Sequence, residues 1–190
     1  MKMKKNLLAL ALALSAAAPL SAAAKEINGM NVPDEVVLDG KTLHLNGVGI
    51  RKKFIIKVYV GALYLEAPAT GLDQITSADQ TRVIHMQFVR SVEKEKIVGA
   101  WKEGIEKNSK DKAATLLPQI DKVAEVMTNV ESGQVMTVTY SPGKGTTVAI
   151  QGGKTVTIEG KEFGDAILRN WLGPKPADDT LKEAMLSGGK

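Results

Sequence analysis

The sequence predicts an α+β fold, an antiparallel sheet with helices packed on one face, and three observations carry that expectation. Short runs rich in β-branched and aromatic residues recur between Gly, Pro and Asp-Gly breaks. Two stretches with a helical apolar period interrupt the strands, and two more follow the last strand.

Taken in order, residues 26–31 read as polar and irregular. Val36-Val37-Leu38 and Leu43-His44-Leu45 then flank Asp39-Gly40, a pair suited to a tight hairpin because both central positions of a type I′ turn need positive φ. Residues 54–65 are apolar on both alternating faces, which predicts a central strand covered on both sides. Pro68 and Gly71 break that run, and residues 81–88 make another strand.

Ser91 is expected to cap a helix whose Ile97, Trp101 and Ile105 form one apolar stripe, with Trp101 as a core anchor. A second helix starts near Thr115, takes Pro118 into its first turn and aligns Leu116, Ile120, Val123 and Met127. Residues 134–140, 146–150 and 155–158, joined by glycine-bearing turns, predict a three-stranded meander. Phe163, Ala166, Ile167 and Trp171 define a helix face that stops at Gly173-Pro174. The last helix begins at Thr180, with Glu183 completing a capping box.

At the N-terminus, Lys2, Lys4 and Lys5 precede an apolar core over residues 7–14 and the small-residue site Ala22-Ala23-Ala24, the layout of a secretory leader. Residues 1–24 are therefore expected to be removed, leaving one domain over 25–190 in the periplasm. Ser15, Pro19 and Ser21 keep the apolar run short of the ~20 residues a spanning helix needs, so no membrane span is expected.

The formal charge of +4 belongs largely to the leader: without it, 22 basic residues face 21 acidic ones. No broad basic footprint for nucleic acid remains. The chain has no cysteine, which excludes disulfides, thiol catalysis and thiolate metal sites.

Chemistry-bearing motifs are sparse. His44 and His85 lie in strand patterns with no partner at metal-ligand spacing, no serine sits in a Gly-x-Ser-x-Gly setting, and neither metal nor cofactor is expected. Gly143-Lys144-Gly145-Thr146-Thr147 has the wrong spacing for a phosphate loop and lies between strands rather than opening a helix. The odd feature is Arg51 with Lys53, Lys57 and Tyr59 in the most apolar stretch of the chain. A cation there needs a carboxylate from the protein or from a ligand, unless it snorkels to solvent. Arg51 and Tyr59 are eight residues apart, about 26 Å on a straight strand at ~3.3 Å per residue. They can share a ligand only if the chain folds back between Lys52 and Lys57. Lys52-Lys53 suits such a turn, and Phe54-Ile55-Ile56 is unusually apolar for one.

Three stretches, Leu45-Asn46-Gly47-Val48-Gly49-Ile50-Arg51, residues 57–65 and residues 163–173, together resemble the bacterial chalcone-isomerase-like family over about residues 26–187. That family is related to plant chalcone isomerases and to plastid fatty-acid-binding proteins. The resemblance implies an open-faced β-sandwich, a large antiparallel sheet covered by a layer of α-helices, with a ligand cleft between them. It places Arg51 where the plant enzymes hold a substrate oxyanion, and Tyr59 where those enzymes carry a threonine and the fatty-acid binders a tyrosine. A tyrosine and an asparagine of the isomerases fall on Glu93 and Ala100, so the cyclising constellation looks incomplete.

The leading expectation is a non-catalytic periplasmic binder of a fatty acid or similar amphiphilic carboxylate, with Arg51, Tyr59 and Lys57 as ligand-binding residues. The alternative is a chalcone-isomerase-type intramolecular lyase acting on a phenolic enone, with Arg51 stabilising the enolate. A third reading is a partner-binding protein whose cleft is closed. An enzyme should show a proton-handling side chain near Glu93 and Ala100; a lipid binder should show an elongated apolar pocket.

Overall fold

The computed structural model describes residues 24–189, so the expected leader lies outside the described residues except for Ala24. The chain runs β1 (Ala24–Ile27), β2 (Met30–Pro33), β3 (Glu35–Leu38), β4 (Lys41–Lys53), β5 (Ile56–Leu65), α1 (Leu72–Ser77), β6 (Arg82–Phe88), α2 (Lys94–Asn108) and α3 (Ala113–Val126). It continues through β7 (Val135–Ser141), β8 (Gly145–Ile150), β9 (Thr155–Ile158), α4 (Lys161–Leu172) and α5 (Asp179–Met185). Strands β3 to β9 form one seven-stranded sheet in strict sequence order, every neighbour antiparallel, and β1–β2 is a separate hairpin.

The main core lies between the sheet and the helices. Leu63, Ile84, Met86, Phe88 and Met136 from the strands meet Trp101, Ile105, Ile120, Val123, Phe163, Ile167 and Trp171. A second, smaller cluster occupies the opposite face, where Val60, Ala62, Tyr64 and Leu45 pack with Val32, Ile27 and Met30 of the β1–β2 hairpin. β5 is therefore buried on both faces, as its two-sided apolar pattern predicts.

Five local expectations need correction. Residues 26–31 are not irregular: Asn28 (φ 54°) and Gly29 (φ 75°) close the β1–β2 hairpin with the same left-handed pair of dihedrals that Asp39-Gly40 gives the β3–β4 hairpin. The run 54–65 is not one strand, because Phe54 and Ile55 form a turn and β5 starts at Ile56. Ser91 does not cap α2; its hydroxyl goes to Glu131, and Glu93 takes the N-cap position. α3 begins at Ala113, just after a short 3-10 turn, which puts Pro118 past the first helical turn. Asp178, not Thr180, caps α5 by accepting from the Leu181 N–H at 3.0 Å.

A cavity between the sheet and the helix layer

The β4–β5 hairpin folds back between Lys52 and Lys57, and Arg51 lies directly across the ladder from Tyr59. The pairing continues as Lys52↔Lys57 and Lys53↔Ile56, so Val58 is an extra residue on β5, a bulge. Because side chains alternate across a strand, the bulge puts Lys57 on the opposite face from Tyr59. Lys57 is accordingly turned away from the cavity, and its ammonium donates to Asn28 at 2.7 Å in the β1–β2 turn.

Arg51 and Tyr59 open into one cavity of about 680 Å³ between the sheet and the helices. Its apolar wall comes from Val58, Met86 and Phe88 on the sheet and from Ile97, Trp101 and Trp171 on the helices. Trp101 and Trp171 meet edge to face at 6.0 Å, and the Tyr59 ring lies 5.3 Å from that of Phe88. Glu93 and Ala100 also line it, on the α2 side.

Three side chains bring polar groups together on the cavity wall. Arg51 places its guanidinium 5.8 Å from the Tyr59 ring centroid and makes no ion pair among the described residues. The Tyr59 hydroxyl accepts from the Trp171 indole N–H at 2.7 Å. Burial pushes that hydroxyl up to about 12, the Arg51 charge pulling the other way, so Tyr59 is a neutral donor at ordinary pH. Its oxygen is engaged by Trp171, and its proton has no protein acceptor among the described residues.

On the rim, Glu93 pairs with Lys96 at 2.9 Å and Glu103 with Lys107. Lys53, Arg90 and Lys175, like Arg51, have no such partner among the described residues, and against these four cations stands Glu131, which accepts from the Ser91 hydroxyl, so the lining carries net positive charge.

The comparisons with known proteins agree with the fold. The sequence profile described as chalcone isomerase-like matches residues 24–187. The chain belongs to the chalcone isomerase-like family. Among solved structures, it is similar to the crystal structure of a fatty-acid-binding protein from Arabidopsis thaliana, with a TM-score of 0.68 and 21% identity over 88% of this chain and 97% of that one. No curated protein sequence matches the chain.

The motifs that suggested this chalcone isomerase-like identity acquire structural reasons. Asn46, an extra residue in β4, donates to the Ala69 and Met185 carbonyls at 2.8 and 2.7 Å and accepts from the Ala69 N–H at 2.8 Å, tying the strand to α5. Gly47 and Gly61 let α5 close on the sheet: a Cβ on Gly47 would lie 2.0 Å from the Ala184 carbonyl oxygen, and one on Gly61 would lie 2.9 Å from Met185 Cε. The 163–173 stretch is α4, which delivers Trp171 to Tyr59.

Two site residues escape sequence reasoning. Asp178 accepts from the Lys52 N–H at 2.8 Å while capping α5, so it fastens the hairpin beside the cavity. Gly104 gives Asn170 its place, since a Cβ there would fall 2.0 Å from the Asn170 Oδ1. Neither carries a local signal, because each role depends on a contact distant in sequence. The histidines stand apart: His44 lies 3.0 Å from Glu35, and His85 packs against Tyr64, its pKa lowered by burial. Among the described residues no cluster suits a metal ion.

Proposed function

We infer that this protein is an exported, non-catalytic binder of a fatty acid or similar amphiphilic carboxylate. The observation that carries the reading is an arginine with no carboxylate partner among the described residues, set beside a neutral tyrosine donor on the wall of a largely apolar cavity. A guanidinium can take both oxygens of a carboxylate, and the charge-assisted bonds orient the head group. The hydrocarbon tail then gains ~25 cal/mol for each Å² of apolar surface it removes from water. The volume of about 680 Å³ falls within the ~300–1,000 Å³ common for small-molecule sites.

The surroundings of Glu93 and Ala100 favour binding over cyclisation of an enone. Ala100 has no proton to move, Glu93 is exposed and held by Lys96, and a phenol raised to about 12 is a poor base near neutral pH. The periplasmic location rests on the charged, apolar and small-residue segments of the leader.

Mass spectrometry of protein extracted gently from its native host is expected to detect a co-purified amphiphilic carboxylate, and N-terminal sequencing of that material should begin at Lys25. Calorimetry with palmitate should give binding that Arg51→Ala abolishes while the melting temperature is kept. Equal affinity in the two proteins would remove the arginine, and the reading, from consideration.

A further inference from the structure

The turn of the β4–β5 hairpin exposes the wrong residues for a structural turn. Phe54 is 90% exposed, Ile55 93% and Ile56 46%, three consecutive large apolar side chains turned to solvent. Phe54 also holds φ at 57° while Ile55 does not, the φ pattern of a type II′ turn, whose first central position ordinarily belongs to glycine. A bulky aromatic side chain is strained there. The fold gains nothing from the choice, since neither Phe54 nor Ile55 belongs to a core cluster.

The tip has a cationic collar. Lys52, Lys53 and Lys57 are exposed, and the first two make no ion pair among the described residues. Of the acidic groups nearby, Asp178 accepts from the Lys52 backbone N–H and caps α5, and Glu103 is bonded to Lys107 while feeling the charge of Lys53, so the lysines outnumber the carboxylates at the tip. Apolar residues projecting through a ring of lysines match a bilayer with anionic head groups, whose acyl region takes the apolar tip and whose surface attracts the collar. A two-residue convex tip is too small to hold a second protein, because stable protein interfaces bury ~800 Å² per partner.

The position of the tip gives docking a use. Lys53, Phe54 and Ile56 are at once part of the hairpin end and part of the cavity lining. We propose that the β4–β5 tip docks on anionic membrane surfaces and presents the mouth of the cavity to the lipid, so that amphiphiles pass between bilayer and cavity. The docking rests on the tip itself; the exchange of ligand rests on the carboxylate-binding reading.

The test is co-sedimentation of the mature chain, expected to begin at Lys25, with vesicles of phosphatidylglycerol and phosphatidylcholine or of phosphatidylcholine alone. Binding is expected to the anionic vesicles, to weaken with added salt, and to fall roughly tenfold or more in Ile55→Asp/Lys52→Glu. Neither side chain lines the cavity, so this variant should bind palmitate in solution as the wild type does. Phe54→Gly, which relieves the positive φ, should keep its melting temperature and also lose vesicle affinity. Arg51→Ala should still sediment with vesicles although it no longer binds palmitate, which separates a failure of docking from a failure of the ligand site. Absence of wild-type sedimentation with anionic vesicles, or equal sedimentation of wild type and Ile55→Asp/Lys52→Glu, would overturn the proposal.

Discussion

The Tyr59 hydroxyl accepts the Trp171 indole N–H, so its own proton remains for a ligand. Removing the oxygen therefore has two separable effects. Tyr59→Phe should weaken palmitate binding by ~1.5–3 kcal/mol, the range for a hydrogen bond to a charged group. It should also leave the buried Trp171 N–H without an acceptor, lowering stability by ~1–3 kcal/mol. Calorimetric titration reads the first effect and denaturant melts the second; a variant that loses stability alone would show that Tyr59 serves only to seat Trp171. Arg51 was legible from the sequence because a cation in an apolar run demands an explanation. Lys57, expected beside Arg51 and Tyr59 as a ligand-binding residue, is not one, since one extra residue at Val58 reverses the face on which it emerges.

Among the secondary elements, the docking of α5 on β4 is the least tolerant contact. Gly47→Ala drives a Cβ into the backbone of Ala184 and Met185, where no side chain can rotate away. It should cost at least the ~1–3 kcal/mol typical of overpacking. Gly99→Ala offers the contrast, as Gly99 is exposed within α2 and an added Cβ meets nothing within 4 Å. That change should stabilise by ~0.5–1 kcal/mol through helix propensity. Thermal unfolding of the pair checks both signs. Apolar periodicity revealed α2, α3, α4 and the β7–β9 meander because their buried faces repeat regularly. It missed β1, β2 and α1, which are short, although Asn28-Gly29 is as strong a turn signal as the Asp39-Gly40 pair that was read. The turn at Phe54-Ile55 was obscured for a different reason: its residues resemble a strand interior, so local preference and actual conformation disagree.

Across the whole molecule, Glu66 joins the end of β5 to both neighbouring strands, accepting from Lys41 at 2.8 Å and from the Thr81 N–H at 2.7 Å. The Lys41 bond, followed by those from Thr81, holds its carboxyl down at about 2. A depressed folded pKa stabilises the fold above the unfolded value near 4.5, and that contribution disappears as pH falls toward 2. Stability of the wild type should decline through this window, and Glu66→Gln should flatten the decline while lowering stability at pH 7. Chemical denaturation at a series of pH values tests it, and parallel curves for the two proteins would remove Glu66 from the acid response. The strictly sequential strand order carries a cost for a chain that is still incomplete. Both α2 and α3 separate β6 from β7, so a chain folding from its N-terminus can assemble β3 to β6 while β6 is still an open edge. That strand carries Val83, Ile84, Met86 and Phe88, all buried in the finished fold. Until β7 pairs with it, the edge can take a strand from another unfinished chain, and aggregation then competes with folding more strongly as such chains become concentrated.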